Sequence, residues 1–209
     1  MALKLRAYLL GRLSAHYGNS MATRYRPHVL GIDDGPFVKH VTEKALIVGV
    51  MMEGADLIEA VAVSRFPVDG AEVTAFLGSW IEGLRFRPAL QCVLLGGITI
   101  AGLCVVDVEQ LSATLRLPVV VTNRKLPTNA LLVRALESAN LQARIPIVDR
   151  SPAPFAVSEG LFAAQAGADR EWAARLLRVT RLKSELPEPL RLAHMIARGI
   201  ATGESRGRP

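Results

Sequence analysis

Aromatic residues make up only 5% of this 209-residue chain, and cysteine occurs twice. With so few rings, the core has to be assembled mainly from Ala, Val, Leu and Ile, and half of the residues are apolar, ample for that purpose. Cys92 and Cys104 both lie in apolar surroundings, without CxxC or Cys/His ligand spacing. That argues against a structural zinc site, and two buried thiols fit a reducing cytoplasm. No apolar run reaches the roughly 18–20 residues a membrane span requires. No serine elbow, Walker loop or dinucleotide fingerprint occurs; Gly96-Gly97 with Gly102 is glycine-rich but has no Walker lysine and does not match GxGxxG. Internal repeats and low-complexity tracts are absent as well. Acids are missing from residues 1–28, which carry Lys4, Arg6, Arg12, Arg24 and Arg26. Three readings stay open for this start: a transit peptide, an amphipathic helix on a nucleic acid or membrane surface, or an over-extended gene start upstream of Met21. We assign residues 1–24 to a basic extension outside the core fold and 25–209 to one domain.

What the chain does have is an excess of positive charge, net +6, with Arg far commoner than Lys. A basic surface favours polyanions such as nucleic acid. The most informative stretch is VLGIDDGPF, Val29 to Phe37. Val29, Leu30 and Ile32 make a buried strand. It runs into two adjacent carboxylates, Asp33 and Asp34, and breaks at Gly35-Pro36, because Pro cannot donate to a ladder and Gly accepts unusual dihedrals. The same residues also read as an ordinary strand-to-turn junction.

Periodicity predicts further strands at 45–52, nearly all apolar and so buried on both faces, at 57–66, at 92–95 and at 117–122. One or two short strands are expected within 154–166. Helical spacing predicts helices at 71–84, 106–116, 129–138, 169–178 and 187–201, followed by a polar, fraying tail at 203–209. Short links between the first three strands imply an antiparallel meander. A meander followed by βα units is the plan of the ribonuclease-H-like α/β fold, a mixed sheet of order 3-2-1-4-5 with the first strand central and helices on its faces. Ligands in such sheets bind at the carboxyl edge, where the strand order switches.

At that edge the expected arrangement gathers Asp33 and Asp34, the loop Gly96 to Thr99, Asp69 after the third strand, and Arg124 and Lys125 after the fifth. Carboxylates next to basic side chains suit a hard divalent cation and a phosphate, the cation generating a hydroxide and stabilising a leaving oxygen. Arg or Lys would balance charge on the phosphate. Asp69 reads equally as a turn residue capping the next helix, Asp107 as an ordinary acid in a helix first turn, and Arg124 and Lys125 as a solvated loop. None of His16, His28, His40 and His194 has a ligand partner at helical spacing; His194, among apolar neighbours in RLAHMIA, reads as a partly buried structural histidine rather than a base.

VLGIDDGPF, GGITIAGLCVVD (Gly96 to Asp107), LPVVVTNRK (Leu117 to Lys125), LPEPLRLAHMIARGI (Leu186 to Ile200) and the terminal GESRGR together resemble the endonuclease dU family, over about residues 26–208. That family is similar to endonuclease V, a metal-dependent nuclease for deaminated nucleic acid with a ribonuclease-H-like fold. The resemblance implies a Mg²⁺- or Mn²⁺-dependent nuclease acting on uracil-type or otherwise damaged DNA, with RNA as the open alternative to DNA, and the free thiols fit a cytoplasmic location. Gly31-Ile32-Asp33 matches the GxD motif of endonuclease V, which makes Asp33 the principal metal ligand. Asp34 stands beside it as a catalytic carboxylate. Asp69 answers the carboxylate after the third strand, with Asp107 as a further metal ligand, and Arg124 or Lys125 answers the lysine. Thr99, Arg124 and Lys125 would contact substrate. Two residues depart from the pattern: Gly96 stands where endonuclease V has a second Asp, and Ala168 where it has a late His. A non-catalytic nucleic-acid binder on the same scaffold, and an enzyme for another phosphorylated ligand, therefore stand beside the nuclease reading.

Overall fold

A computed structural model describes residues 25–205. The expected basic extension at 1–24 and the last residues of the tail lie outside the described residues. The chain forms a mixed α/β fold in which helices flank a seven-stranded sheet.

The first three strands are β1 (His28–Asp34), β2 (Lys44–Glu53) and β3 (Leu57–Pro67), and they pair antiparallel as the short links require. Helix α1 (Val73–Glu82) follows, and then β4 (Cys92–Leu95), which lies parallel to β1. Two strands of two residues each, β5 (Thr99–Ile100) and β6 (Cys104–Val105), make a separate small hairpin. Helix α2 (Val108–Leu115) leads to β7 (Val119–Asn123), parallel to β4. Helices α3 (Asn129–Ser138) and α4 (Ile145–Asp149) precede the antiparallel pair β8 (Phe155–Ser158) and β9 (Leu161–Ala166). Helices α5 (Arg170–Val179) and α6 (Glu188–Thr202) end the described chain. The sheet order is β3-β2-β1-β4-β7-β9-β8. Two strands beyond the expected five extend the sheet on the β7 side, so β4 rather than β1 occupies the middle.

The pleat divides the core. Leu30 and Ile32 of β1, with Val93 and Leu95 of β4, face α1 and α2, where Leu77, Ile81, Leu111 and Leu115 close the largest apolar cluster. Val29, Leu94 and Val120 face the opposite way, against Leu176 and Leu177 of α5 and Leu190 of α6. On that same face Leu46, Val48 and Val50 of β2 meet Ala193 and Ala197 of α6. Each strand inside the sheet is thus apolar on both sides, as near-continuous Val and Leu runs demand. No helix among the described residues is long and apolar enough to cross a membrane.

Candidate active site

Helix α6 is laid along β1 by residues that alternate on one face of the strand. A β-carbon at Gly31 would come within 2.3 Å of the Pro189 carbonyl carbon, and one at Gly35 within 3.1 Å of the Ala197 oxygen. Only glycine permits so close a strand–helix approach at position 31. Between the two glycines, on the same face, Asp33 meets the helix one turn after Leu190: His194 Nδ1 stands 2.8 Å from Asp33 Oδ2. Two residues of strand advance about as far as one turn of helix, so a Gly-x-Asp-x-Gly alternation is read by positions 190, 194 and 197. The second oxygen of Asp33 accepts from the Asp34 amide at 3.0 Å. Burial raises the Asp33 pKa above the ordinary carboxylate range, although His194 pulls the other way.

Asp34 points to the other face. Its Oδ2 accepts from the Ala101 amide, 2.8 Å away, in the tip of the β5–β6 hairpin. Burial, with the nearby Asp33 charge adding to it, pushes its pKa up to about 6. The adjacent acids therefore diverge, as successive residues of any strand do, and each is held by a different element. Asp69 joins Asp34 at the hairpin: its Oδ1 accepts from the Leu103 amide at 2.7 Å, and its own amide donates to the Ala101 carbonyl. The Arg144 guanidinium clamps this corner by donating to the carbonyls of Leu103, Asp69 and Gly70.

Register puts the expected rim together. Ile32 pairs with Leu95, and Leu95 with Val121. One step on, Asp33 stands beside Gly96 and then Thr122, so Arg124 and Lys125 leave the sheet at the same edge as the two acids. Both are exposed. Thr99 opens the hairpin at this edge and is partly buried. A β-carbon at Gly96 would lie 3.6 Å from Asp33 Oδ1 and meet nothing nearer; the missing side chain leaves open volume directly over the carboxylate.

Asp107, expected among the metal ligands, does not join this group. It is the N-cap of α2, where its Oδ1 accepts from the Gln110 amide at 3.0 Å while its Oδ2 is paired with Arg150 at 2.8 Å. With the residue 7% exposed, both oxygens are spent on the fold. His194 is partly buried, as expected, and its pairing with Asp33 is what reasoning from sequence missed. Its signal was its place in the apolar stripe of α6, beside Leu190, Ala193 and Ala197, which aims it at the strand carrying the acids.

Among the described residues no three His, Cys, Asp or Glu side chains converge on a ready metal site. A hard cation such as Mg²⁺ needs only one or two carboxylates when water and phosphate complete its shell. Asp33 fits that role. It is partly open to solvent, His194 holds one of its oxygens, and the space over Gly96 lies against it.

The family model described as endonuclease dU matches residues 26–201. A UPF0215 protein of Methanothermobacter thermautotrophicus is 36% identical over 183 residues, covering 86% of this chain and 90% of that protein. The crystal structure of a protein of unknown function from Archaeoglobus fulgidus superposes with a TM-score of 0.77 at 27% identity, covering 84% of this chain and 98% of that one. Endonuclease V of Ciona intestinalis, in complex with a 24mer DNA containing an inosine followed by a ribo-adenosine, has a similar fold, with a TM-score of 0.51 at 13% identity over 92% of this chain and 95% of that one.

Proposed function

The chain belongs to the endonuclease dU family, and from that premise we propose that it is a metal-dependent endonuclease for deaminated, uracil-type DNA, built on a ribonuclease-H-like scaffold. The observation that carries this reading is Asp33, held at the carboxyl rim of β1 by His194, with open volume over Gly96 and the basic pair of β7 leaving the same edge. Asp33 is the principal ligand for Mg²⁺ or Mn²⁺. Asp34 adds negative charge from the other side of the strand end, and Asp69, anchored at the hairpin, is the next carboxylate along the rim. A bound cation would supply an activated water and stabilise the leaving oxygen. The ionised Asp33 carboxylate accepts from His194, so the ring proton sits on Nδ1 and fixes the tautomer. Thr99, Arg124 and Lys125 position substrate, the two cations holding phosphate. The choice of a deaminated base leans on the family, and on the inosine-containing DNA held by endonuclease V of like fold.

Oligonucleotides carrying uracil or hypoxanthine, single- and double-stranded, should be cut with Mg²⁺ or Mn²⁺, and Asp33→Asn should abolish cutting while leaving the fold intact by circular dichroism. No cutting across metals and pH would sink the nuclease reading. One observation favours a second reading: Gly96 withholds the carboxylate that would complete a three-acid site. In that case the protein binds nucleic acid without turnover, and calorimetric titration of Mn²⁺ finds no heat that Asp33→Asn removes.

A further inference from the structure

Strand β3 is the outer edge of the sheet, eleven residues long, and no element among the described residues continues the ladder beyond it. Native proteins guard such an edge with charge, Pro, bulges or a covering helix. Here the guards stand at the ends: Glu59 is bulged opposite Met51 and Met52, and Pro67 closes the strand. Between them the ladder to β2 is regular. On the α1 side the Phe66 ring meets Phe76, 4.7 Å between centroids, and Ala60 packs against the same core cluster. On the other side α6 covers β2 and stops short of β3, where Ile58 is 49% exposed, Val61 47% and Val63 51%. The centre of the strand reads Ala60-Val61-Ala62-Val63-Ser64, small residues toward α1 and valines toward α6, nearly the same in both directions about Ala62. Glu59 and Arg65 flank it at equal distances with opposite charge.

We propose that β3 pairs with β3 of a second copy of this chain, antiparallel about a two-fold axis at Ala62. In that register Val61 of each copy faces Val63 of the other, and Ala60 faces Ser64. The strand is self-complementary in pattern, as an isologous interface demands. Charge counts against the other direction. Antiparallel pairing sets position 59 across from position 65 at both ends, acid near base, whereas an in-register parallel copy would set acid against acid and base against base. Glu59 turns to the α1 side, where it holds His28 through Oε2 at 2.6 Å, so the two charges attract across the ladder rather than form a direct ion pair. Pairing satisfies the outward-facing backbone groups of β3 and closes four valines into one strip between the two α6 helices. The carboxyl rim with Asp33 is not used, so both sites stay open in the pair. This assembly is independent of the nuclease reading.

Sedimentation velocity of the full chain over a range of concentrations should show a monomer–dimer equilibrium. Val61→Lys/Val63→Lys, which sets four lysines in the central strip, should weaken the dimer at least about tenfold. Val61→Lys/Val63→Glu removes the same two valines but faces Lys with Glu across the axis, and should dimerise more tightly than the double-lysine variant. Ala62→Cys places two thiols opposite each other at the axis and should cross-link on mild oxidation, whereas Ser64→Cys, facing Ala60, should not. A chain that stays monomeric at every concentration overturns the proposal. So does a dimer that ignores Val61→Lys/Val63→Lys and fails to cross-link through Ala62→Cys.

Discussion

The two acids of VLGIDDGPF show how far one residue position can separate function from cost. Asp33 is offset by His194; Asp34 has a backbone amide from Ala101 and the repulsion of its neighbour. Because its pKa rises to about 6 on folding, from the ordinary 3.8, the unfolded chain releases this proton first as pH climbs. The folded state then binds more protons than the unfolded one between about pH 4 and 6, so stability falls through that window and stays low above it. Asp34→Asn keeps an acceptor for Ala101 and removes the charge. In chelator, urea denaturation should show the variant more stable than the parent at pH 7.5 by about 1–2 kcal/mol, allowing for solvent screening, and equal to it near pH 4. A variant that gains nothing at pH 7.5 would mean that the native site does not hold Asp34 under strain. The pairing of these acids was legible in sequence, since an apolar strand running into Asp-Asp and breaking at Gly-Pro places both at its end. Their divergence follows from the two-residue period of the same strand, which the eye passes over when identical residues are adjacent.

Among the elements, α6 and β1 form the unit that builds the site, and glycine sets its spacing. Gly31→Ala would put a β-carbon against backbone atoms of Pro189 and Leu190, which cannot rotate away as a side chain would. Helix α6 must then lift from the strand, at a cost of about 3 kcal/mol, and His194 leaves Asp33 with it. Urea denaturation should register the loss. If the midpoint does not move, the close approach is not what seats the helix. The strands and longer helices were legible because ten-residue periodic segments declare themselves, and α3 begins and ends where its pattern does. The β5–β6 hairpin and α4 were not: two-residue strands and a single helical turn carry no period, whereas β4 and β7, hardly longer, declared themselves as unbroken apolar runs. Nor could the sequence show what holds the acids: His194 lies 161 positions from Asp33, and Arg150 lies 43 from the Asp107 it draws away from the site. Asp107 had the spacing of an N-cap all along, and the packing gave it that role.

For the whole molecule the question is where the positive charge sits. Of the net +6, four charges, Lys4, Arg6, Arg12 and Arg24, fall within residues 1–24, which leaves +2 for the rest. A balance that small gives the folded part little general attraction for a polyanion, so local placement has to decide where nucleic acid lies. The rim offers Arg124 and Lys125, exposed and next to an edge whose acids would otherwise repel phosphate. If both hold phosphates, the Arg124→Ala/Lys125→Ala variant should weaken binding of a double-stranded oligonucleotide and flatten the plot of log K against log salt by about 2, near 0.9 for each phosphate that is no longer neutralised. Fluorescence anisotropy at several salt concentrations in calcium, with Asp33→Asn as the background to block cutting, reads both quantities. A slope unchanged by the double variant would move the phosphate-binding groups away from the rim and onto the basic start of the chain, and the carboxylates at Asp33 and Asp34 would lose the neighbours that make them suited to a phosphodiester.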